Sequence, residues 1–132
     1  MKQSIGSVTF LVKDYNKAIE YFTNKLQFDL IEDFQLSESK RWVLVSPKGS
    51  EGACLLLAKA SNEEQEKLVG NQTGGRVAFF LYTDDFERDY LKMKNLNVNF
   101  LEKPREESYG KVVVFHDLYG NKWDFIERHK SN

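Results

Sequence analysis

The alternation of apolar and polar residues near the start of the chain predicts a strand, because every second residue of a strand faces the same side. This alternation covers residues 7–12, and Asp14 follows where the N-cap of a helix is expected. Apolar residues at helical spacing then cover 15–26. Three more strands are predicted after this helix, at residues 28–34, 41–45 and 53–58. The first half of the chain therefore has the order strand, helix and three strands.

The same order of elements recurs 71 residues later. Segment 7–14 resembles segment 78–85 in character, and Asp14 maps onto Asp85 (85 − 14 = 71). A helix is predicted to begin after Asp84 or Asp85. The strands of this second half are predicted at residues 77–82, 98–101, 111–115 and 122–127. A constant spacing predicts two copies of one unit, and we expect the copies to pair into a closed domain with a functional cleft.

Length and composition favour a single folded domain. The chain has 132 residues, including ten Phe, six Tyr and two Trp, which is enough apolar material for a core. We predict modules at about 1–58 and 76–128, joined by a polar linker at 59–75 that holds a short helix from Asn62 to about residue 69. The net charge of −1, with acids and bases interspersed, lacks the basic footprint of a nucleic-acid-binding protein.

Cysteine usage and hydropathy predict a cytoplasmic protein. Cys54 is the single cysteine, so no disulfide can form within the chain, which fits a reducing compartment. We interpret Cys54 as a small core residue. The apolar stretch at 7–12 is too short for a signal peptide, and no run reaches transmembrane length. We therefore expect no membrane partner.

Three stretches, at 8–14, 18–28 and 115–124, resemble the vicinal oxygen chelate superfamily, which includes glyoxalase I, bleomycin-resistance proteins, fosfomycin-resistance enzymes and extradiol dioxygenases. The third stretch is similar to the family's Asp-Pro-x-Gly-Asn turn, with Leu118 in place of the usual Pro. The resemblance implies an α+β fold in which tandem βαβββ modules form an incomplete barrel around a cleft. It also implies a homodimer.

The resemblance identifies four positions for a divalent metal, two from each module. They fall on Ser7, Ala78, Asp124 and either Ala53 or Leu55. Only Asp124 offers a strong oxygen donor, whereas catalytic metal sites commonly use about three protein ligands. We therefore predict no metal at the usual site and no other cofactor.

Strand alternation predicts that Trp123 and Phe125 face the helix and that Asp124 between them faces the cleft. Asp124 is interpreted either as a ligand-binding carboxylate or general base, or as a strand carboxylate held by Lys122 or Arg76. Phe80 is more readily explained as filling the barrel, and Arg76 as a solvated residue at the end of a strand. Tyr82 is expected to be a buried phenol that needs a hydrogen-bond partner. The predicted ligand-binding residues are Ser7, Thr9, Trp42, Arg76, Phe80, Tyr82 and Asp124.

Three functions remain open from the sequence. The first is a metal-independent small-molecule binding protein, similar to the bleomycin-resistance branch. The second is a lyase, isomerase or dioxygenase-type enzyme. Such an enzyme could use a displaced metal site built from Asp124, His116 or Glu127, or it could use Asp124 and Tyr82 as a metal-free acid and base. The third is an interaction module without chemistry. A surface or turn position is the favoured interpretation of His116. The sequence assigns no catalytic residue and identifies no ligand.

Overall fold

The computed structural model describes residues 1–130. The chain forms two compact units, the first from Met1 to Val69 and the second beginning at Gly70. The division falls inside the predicted linker at 59–75. No helix within the described residues is long and apolar enough to cross a membrane.

The first unit follows the predicted order of strand, helix and three strands. Asp14 caps the first helix, because its Oδ1 accepts a hydrogen bond from the Lys17 amide at 2.8 Å. This helix continues as a π-helical turn, Tyr21–Lys25, which the apolar periodicity did not reveal. The elements are β1 (Ser7–Val12), α1 (Tyr15–Glu20), β2 (Asp29–Gln35), β3 (Arg41–Ser46), β4 (Cys54–Lys59) and α2 (Glu63–Leu68).

The four strands of this unit form one mixed sheet in the order β1-β4-β3-β2. The first strand and the last strand are parallel neighbours, and the remaining pairs are antiparallel. One face packs against α1 and the π-helical turn: Phe10 and Phe22 are almost fully buried, with their rings edge to face at a centroid distance of 5.1 Å. The opposite face lies away from α1 and the π-helical turn, and we call it the helix-free face of the first sheet.

The second unit repeats this arrangement. Asp85, one of the two predicted caps, caps its helix by accepting a hydrogen bond from the Arg88 amide at 3.1 Å. A short strand over Arg105–Glu107 was not among the predicted strands, because its three charged residues show no apolar alternation. The elements are β5 (Val77–Tyr82), α3 (Phe86–Asn95), β6 (Asn99–Phe100), β7 (Arg105–Glu107), β8 (Gly110–His116) and β9 (Lys122–Arg128).

The second sheet has the order β5-β9-β8-β6, with β7 also paired to β8. Its first and last strands are again parallel neighbours. Phe125 packs on the Phe86 ring of α3 at a centroid distance of 5.3 Å, and Trp123 packs on Phe79 at 4.7 Å. The predicted orientation of Trp123 and Phe125 towards the helix is therefore confirmed.

The internal repeat extends to single backbone positions. Gln27 and Asn97, which each follow the helix of their unit, both adopt left-handed φ angles, of 60° and 64°. The capping contacts Asp14–Lys17 and Asp85–Arg88 lie 71 residues apart (85 − 14 and 88 − 17), and Gln27 and Asn97 lie 70 residues apart (97 − 27). The α+β class and the tandem βαβββ order are thus confirmed, and each sheet is open.

Asp117 organises the turn between β8 and β9. Its buried carboxylate accepts hydrogen bonds from the Tyr119 and Asn121 amides, the Asn121 side chain and Trp123 Nε1, the last at 2.8 Å. Burial raises the pKa of the Asp117 carboxyl, while these donors oppose the rise. Gly120 has a φ of 97°, a conformation that favours glycine. The Asp-x-x-Gly-Asn pattern is therefore a structural turn that sets the start of β9.

Candidate functional site

The candidate residues of the first unit lie along its helix-free face. Thr9 pairs with Leu56 and Ser7 with Cys54, so these four side chains alternate with the buried positions that face α1. Ser7 and Thr9 are exposed. Cys54 is half-buried on this face, and its interpretation as a core residue is corrected accordingly.

Trp42 shares the helix-free face of the first sheet. It pairs directly with Phe34 across β2 and β3, and their rings stack at a centroid distance of 6.4 Å with planes 25° apart. Trp42 is half-buried, and Phe34 is 49% exposed. The sequence singled out Trp42 and missed Phe34, because pairing across a sheet depends on a register that one strand alone does not reveal.

The candidate residues of the second unit lie on the matching face, opposite α3. Asp124 pairs with Phe80 of β5 on one side and with Val114 of β8 on the other. Tyr82 pairs with Ile126 two residues further along. We call this surface the helix-free face of the second sheet. The structure therefore brings Phe80, Tyr82 and Asp124 together, as the strand alternation predicted.

Asp124 is the central polar residue of this face. It is only 8% exposed, and its Oδ1 has no hydrogen-bond partner among residues 1–130. The alternative that Lys122 or Arg76 holds this carboxylate finds no support, since neither residue forms an ion pair with it within that range. A buried acceptor without a donor costs roughly 1–3 kcal/mol. Asp124 is therefore a site where a donor from outside the chain would be stabilising.

Charged groups around Asp124 act in opposite directions on its proton affinity. Burial is the largest effect and raises the pKa of the Asp124 carboxyl above its ordinary value. Arg105 lowers this pKa by its positive charge, and Glu102 raises it. Arg105 is itself engaged, with Nε 3.1 Å from Glu102 Oε2 and Nη1 on Glu107. The net result is a carboxyl group that holds its proton more tightly than a free aspartate.

Arg105 and Glu102 were not predicted as site residues. Glu102 also accepts a hydrogen bond from the Val114 amide, which holds Glu102 beside β8. Val114 is the residue of β8 that pairs with Asp124. The only sequence signal was the charged run after Leu101, and charge runs are usually solvated. The pairing of Arg105 with Val112, which places it on the helix-free face, depends on the short strand that the sequence did not reveal.

The exposure of Tyr82 differs from the prediction made from the sequence. Its ring is 54% exposed, so it is not the buried phenol that the sequence predicted. The Arg128 guanidinium lies 4.4 Å from the ring centroid, a distance typical of a cation–π contact. Phe80 is 56% exposed and therefore does not fill a core, contrary to the favoured interpretation. Both rings stand on β5, an edge strand of the sheet.

The remaining predicted positions contribute less. Arg76 precedes β5 and is exposed, with its carbonyl accepting a hydrogen bond from the Thr73 hydroxyl at 2.8 Å. Ala78 lies at the irregularity of β5 between Val77 and Phe79. His116 is half-buried as the last residue of β8, and not a turn residue.

The strand register refines the comparison with a family metal centre. Thr9 corresponds to Phe80 (80 − 71 = 9), so the partner of Thr9, Leu56, is the counterpart of Asp124, and not Ala53 or Leu55. Leu55 faces α1 and is 9% exposed. Leu56 and Ala78 have no donor atom in their side chains. Within residues 1–130, no group of three or more His, Cys, Asp or Glu side chains is arranged to hold a metal ion. These side chains do not fit the four-ligand set of the family.

Comparison with known proteins identifies relatives of the whole chain. The family described as "Glyoxalase/Bleomycin resistance protein/Dioxygenase superfamily" matches residues 4–125. An uncharacterized protein of Shewanella frigidimarina (strain NCIMB 400) is 55% identical over 128 residues, 96% of this chain and 95% of the relative. The metallothiol transferase FosB of Staphylococcus epidermidis is 27% identical over 123 residues, 92% of this chain and 81% of that enzyme.

Solved structures share the fold. UcmS2 superimposes with a TM-score of 0.82 at 24% identity, covering 96% of this chain and 99% of that structure. TnmS3, an antibiotic binding protein from Streptomyces sp. CB03234, gives a TM-score of 0.77 at 23% identity, covering 97% of this chain and 98% of that structure. At these identities the similarity establishes the fold alone.

Proposed function

Because this chain belongs to the glyoxalase/bleomycin resistance protein/dioxygenase superfamily, we propose that it is a small-molecule binding protein that functions without the usual divalent metal. The observation that carries this proposal is Asp124, a buried carboxyl with one unpartnered oxygen on a sheet face that also bears exposed aromatic rings. Such a combination of apolar surface and a few placed polar groups is typical of ligand sites. Among the fold's solved relatives, one is described as an antibiotic binding protein.

The donor chemistry of the family positions supports the metal-free part of the proposal. Ser7, Leu56 and Ala78 stand where the family places metal ligands, and a divalent ion held by Asp124 alone would lack the roughly three protein ligands of a catalytic site. Asp124 is then available to a ligand. The other proposed ligand contacts are Ser7, Thr9, Trp42, Arg76, Phe80 and Tyr82.

Metal analysis combined with a binding titration tests the proposal. Protein purified without chelators is expected to hold well below one equivalent of any divalent ion. Titration with bleomycin and with fosfomycin, followed by tryptophan fluorescence and by calorimetry, is expected to show saturable binding of at least one compound that added EDTA leaves unchanged. One tightly held divalent ion per chain would count against the metal-free site, and binding that EDTA abolishes would do the same.

An enzyme is the second candidate, and the raised pKa of Asp124 is the observation that favours it. A carboxyl that retains its proton more readily is better placed for general acid or base chemistry near neutral pH. Activity on the methylglyoxal–glutathione adduct or on catechols, lost in Asp124→Ala, would support this candidate. Activity unchanged in that variant would remove Asp124 from the reaction.

We also propose a homodimer in the cytoplasm as the working state of the protein. The support is the family resemblance and the single cysteine. Light scattering coupled to size-exclusion chromatography measures the mass directly, and a monomeric mass at micromolar concentration would contradict the dimer.

A further inference from the structure

The unpartnered oxygen of Asp124 sets one requirement for a ligand. The side chain is more than nine-tenths buried, yet Oδ1 accepts no hydrogen bond from residues 1–130. A donor that reaches this oxygen would recover the cost of the unmade bond, and hydrogen bonds to charged groups contribute roughly 1.5–3 kcal/mol. The ligand group that fits is therefore an N–H or O–H donor, and a positively charged donor fits best.

The charges beside Asp124 favour a cation over an anion. Among residues 1–130, Arg105 is the positive group that acts on Asp124, and its Nε and Nη1 are already committed to Glu102 and Glu107. One guanidinium and three carboxylates give this cluster a formal charge of +1 − 3 = −2 when all are ionised. An incoming carboxylate would meet repulsion here, while an ammonium group would be attracted.

Phe80 sets the second requirement. It is the direct partner of Asp124 across β5 and β9, so the two side chains leave the sheet on the same face about 5 Å apart. Its ring is 56% exposed and makes no ring or cation contact within the described residues. The neighbouring Tyr82 ring, in contrast, already has Arg128 at 4.4 Å. Phe80 is therefore the aromatic surface that a ligand ring can cover next to the Asp124 carboxyl.

We propose that the helix-free face of the second sheet binds an aromatic ligand that carries a protonated amine, with the ring on Phe80 and the ammonium donating to Asp124 Oδ1. This inference rests on the proposed small-molecule binding function and specifies its ligand class. Aromatic stacking contributes about 0.5–1.5 kcal/mol beyond buried area. The charged hydrogen bond contributes more, so the amine is the main determinant of selectivity.

Three small probes of one shape test the inference on the unaltered chain. These are 1-naphthylmethylamine, 1-naphthalenemethanol and 1-naphthoate, titrated at pH 7.5 and followed by ¹H–¹⁵N NMR. We expect the amine to bind at least about tenfold more tightly than the alcohol, which is the ratio that one charged hydrogen bond gives. The naphthoate is expected to bind most weakly. The largest shifts are expected in β5 and β9.

Matched variants separate the two contacts. Asp124→Asn should remove the preference for the amine and leave the alcohol unchanged, whereas Phe80→Ala should weaken both probes. Asp84→Asn and Leu91→Ala are the controls, because Asp84 is a carboxylate outside the strands and Leu91 is an exposed apolar side chain on α3, so neither lies on the helix-free face of the second sheet. They should change neither affinity. Because the Phe80 side chain is exposed, the Phe80→Ala variant is expected to fold.

The outcomes distinguish this inference from the proposed function. Equal affinities for amine and naphthoate, or an amine preference that survives Asp124→Asn, would overturn the inference while leaving small-molecule binding intact. Shifts confined to other parts of the chain would also overturn it. The metal analysis and the antibiotic titrations test the proposed function separately.

Discussion

Replacing Asp124 by Asn is expected to stabilise the ligand-free protein at alkaline pH. The carboxyl is 8% exposed and its Oδ1 is unpartnered among the described residues, so ionisation leaves a charge that the fold does not satisfy. Asn keeps the size of the side chain and removes this charge. An unsatisfied buried group costs roughly 1–3 kcal/mol. Because the Asn amide retains part of that cost, the expected gain is about 1 kcal/mol.

The raised pKa of Asp124 determines how the stability difference between Asp124→Asn and the parent chain depends on pH. Burial raises the folded-state pKa of Asp124, so the folded protein binds the proton more tightly than the unfolded chain does. The contribution of Asp124 to stability is therefore present at low pH and is lost as the pH rises through the folded-state pKa. The difference between the variant and the parent chain should be near zero at about pH 4, close to the ordinary value of aspartate, and should grow towards pH 8.

Urea denaturation at a series of pH values measures this difference. With a slope of about 2 kcal/mol per molar urea, a gain of 1 kcal/mol moves the midpoint up by about 0.5 M. Asp117→Asn is the matched control, because that buried carboxylate accepts four hydrogen bonds and its replacement should lower the midpoint at pH 8. If Asp124→Asn also lowered the midpoint at pH 8, the carboxylate would be stabilising and the reasoning above would be refuted.

Three further variants test the packing of the two units. Gly70→Ala should destabilise the fold by about 2 kcal/mol or more, because a Cβ there would lie 2.0 Å from the Tyr119 carbonyl oxygen and φ is +80°. Gly49→Ala is the control: its φ is +73°, but the space around it is open, so the substitution should cost about 1 kcal/mol. Equal decreases in the thermal unfolding midpoint of the two variants would contradict this account. Phe10→Ala should cost about 3–5 kcal/mol, since Phe10 is fully buried against Phe22. A urea midpoint within 0.2 M of the parent, on the order of 0.4 kcal/mol, would show that this core does not depend on it.

The elements that the sequence predicted well are those with a strong local signal. Asp14 and Asp85 predict where their helices begin, because a carboxylate before an apolar helical pattern accepts hydrogen bonds from the free amides of the first turn. The orientation of Trp123 and Phe125 followed from simple alternation along β9, which runs without a bulge against β8. Local chemistry and strand periodicity were sufficient in each case.

The features that were missed depend on contacts between distant segments. The counterpart of Asp124 is Leu56, but the two copies differ in length before their last strands, so counting along the chain pointed to Ala53 or Leu55. Arg105 reaches the helix-free face through a three-residue strand whose charged sequence resembles a loop. Tyr82 was expected to be buried. Alternation along a strand predicts which face of the sheet a side chain lies on, but it does not reveal that β5 is an edge strand.

The parallel pairing of the first and last strand in each unit has a consequence for synthesis on the ribosome. Ser7 pairs with Cys54, 47 residues later (54 − 7), and Val77 with Lys122, 45 residues later (122 − 77). Strand β1 therefore emerges long before its partner exists, and closing so large a loop carries an entropic cost. Within the described residues β5 pairs with β9 alone, so during synthesis β5 remains an unpaired apolar strand until β9 has left the exit tunnel.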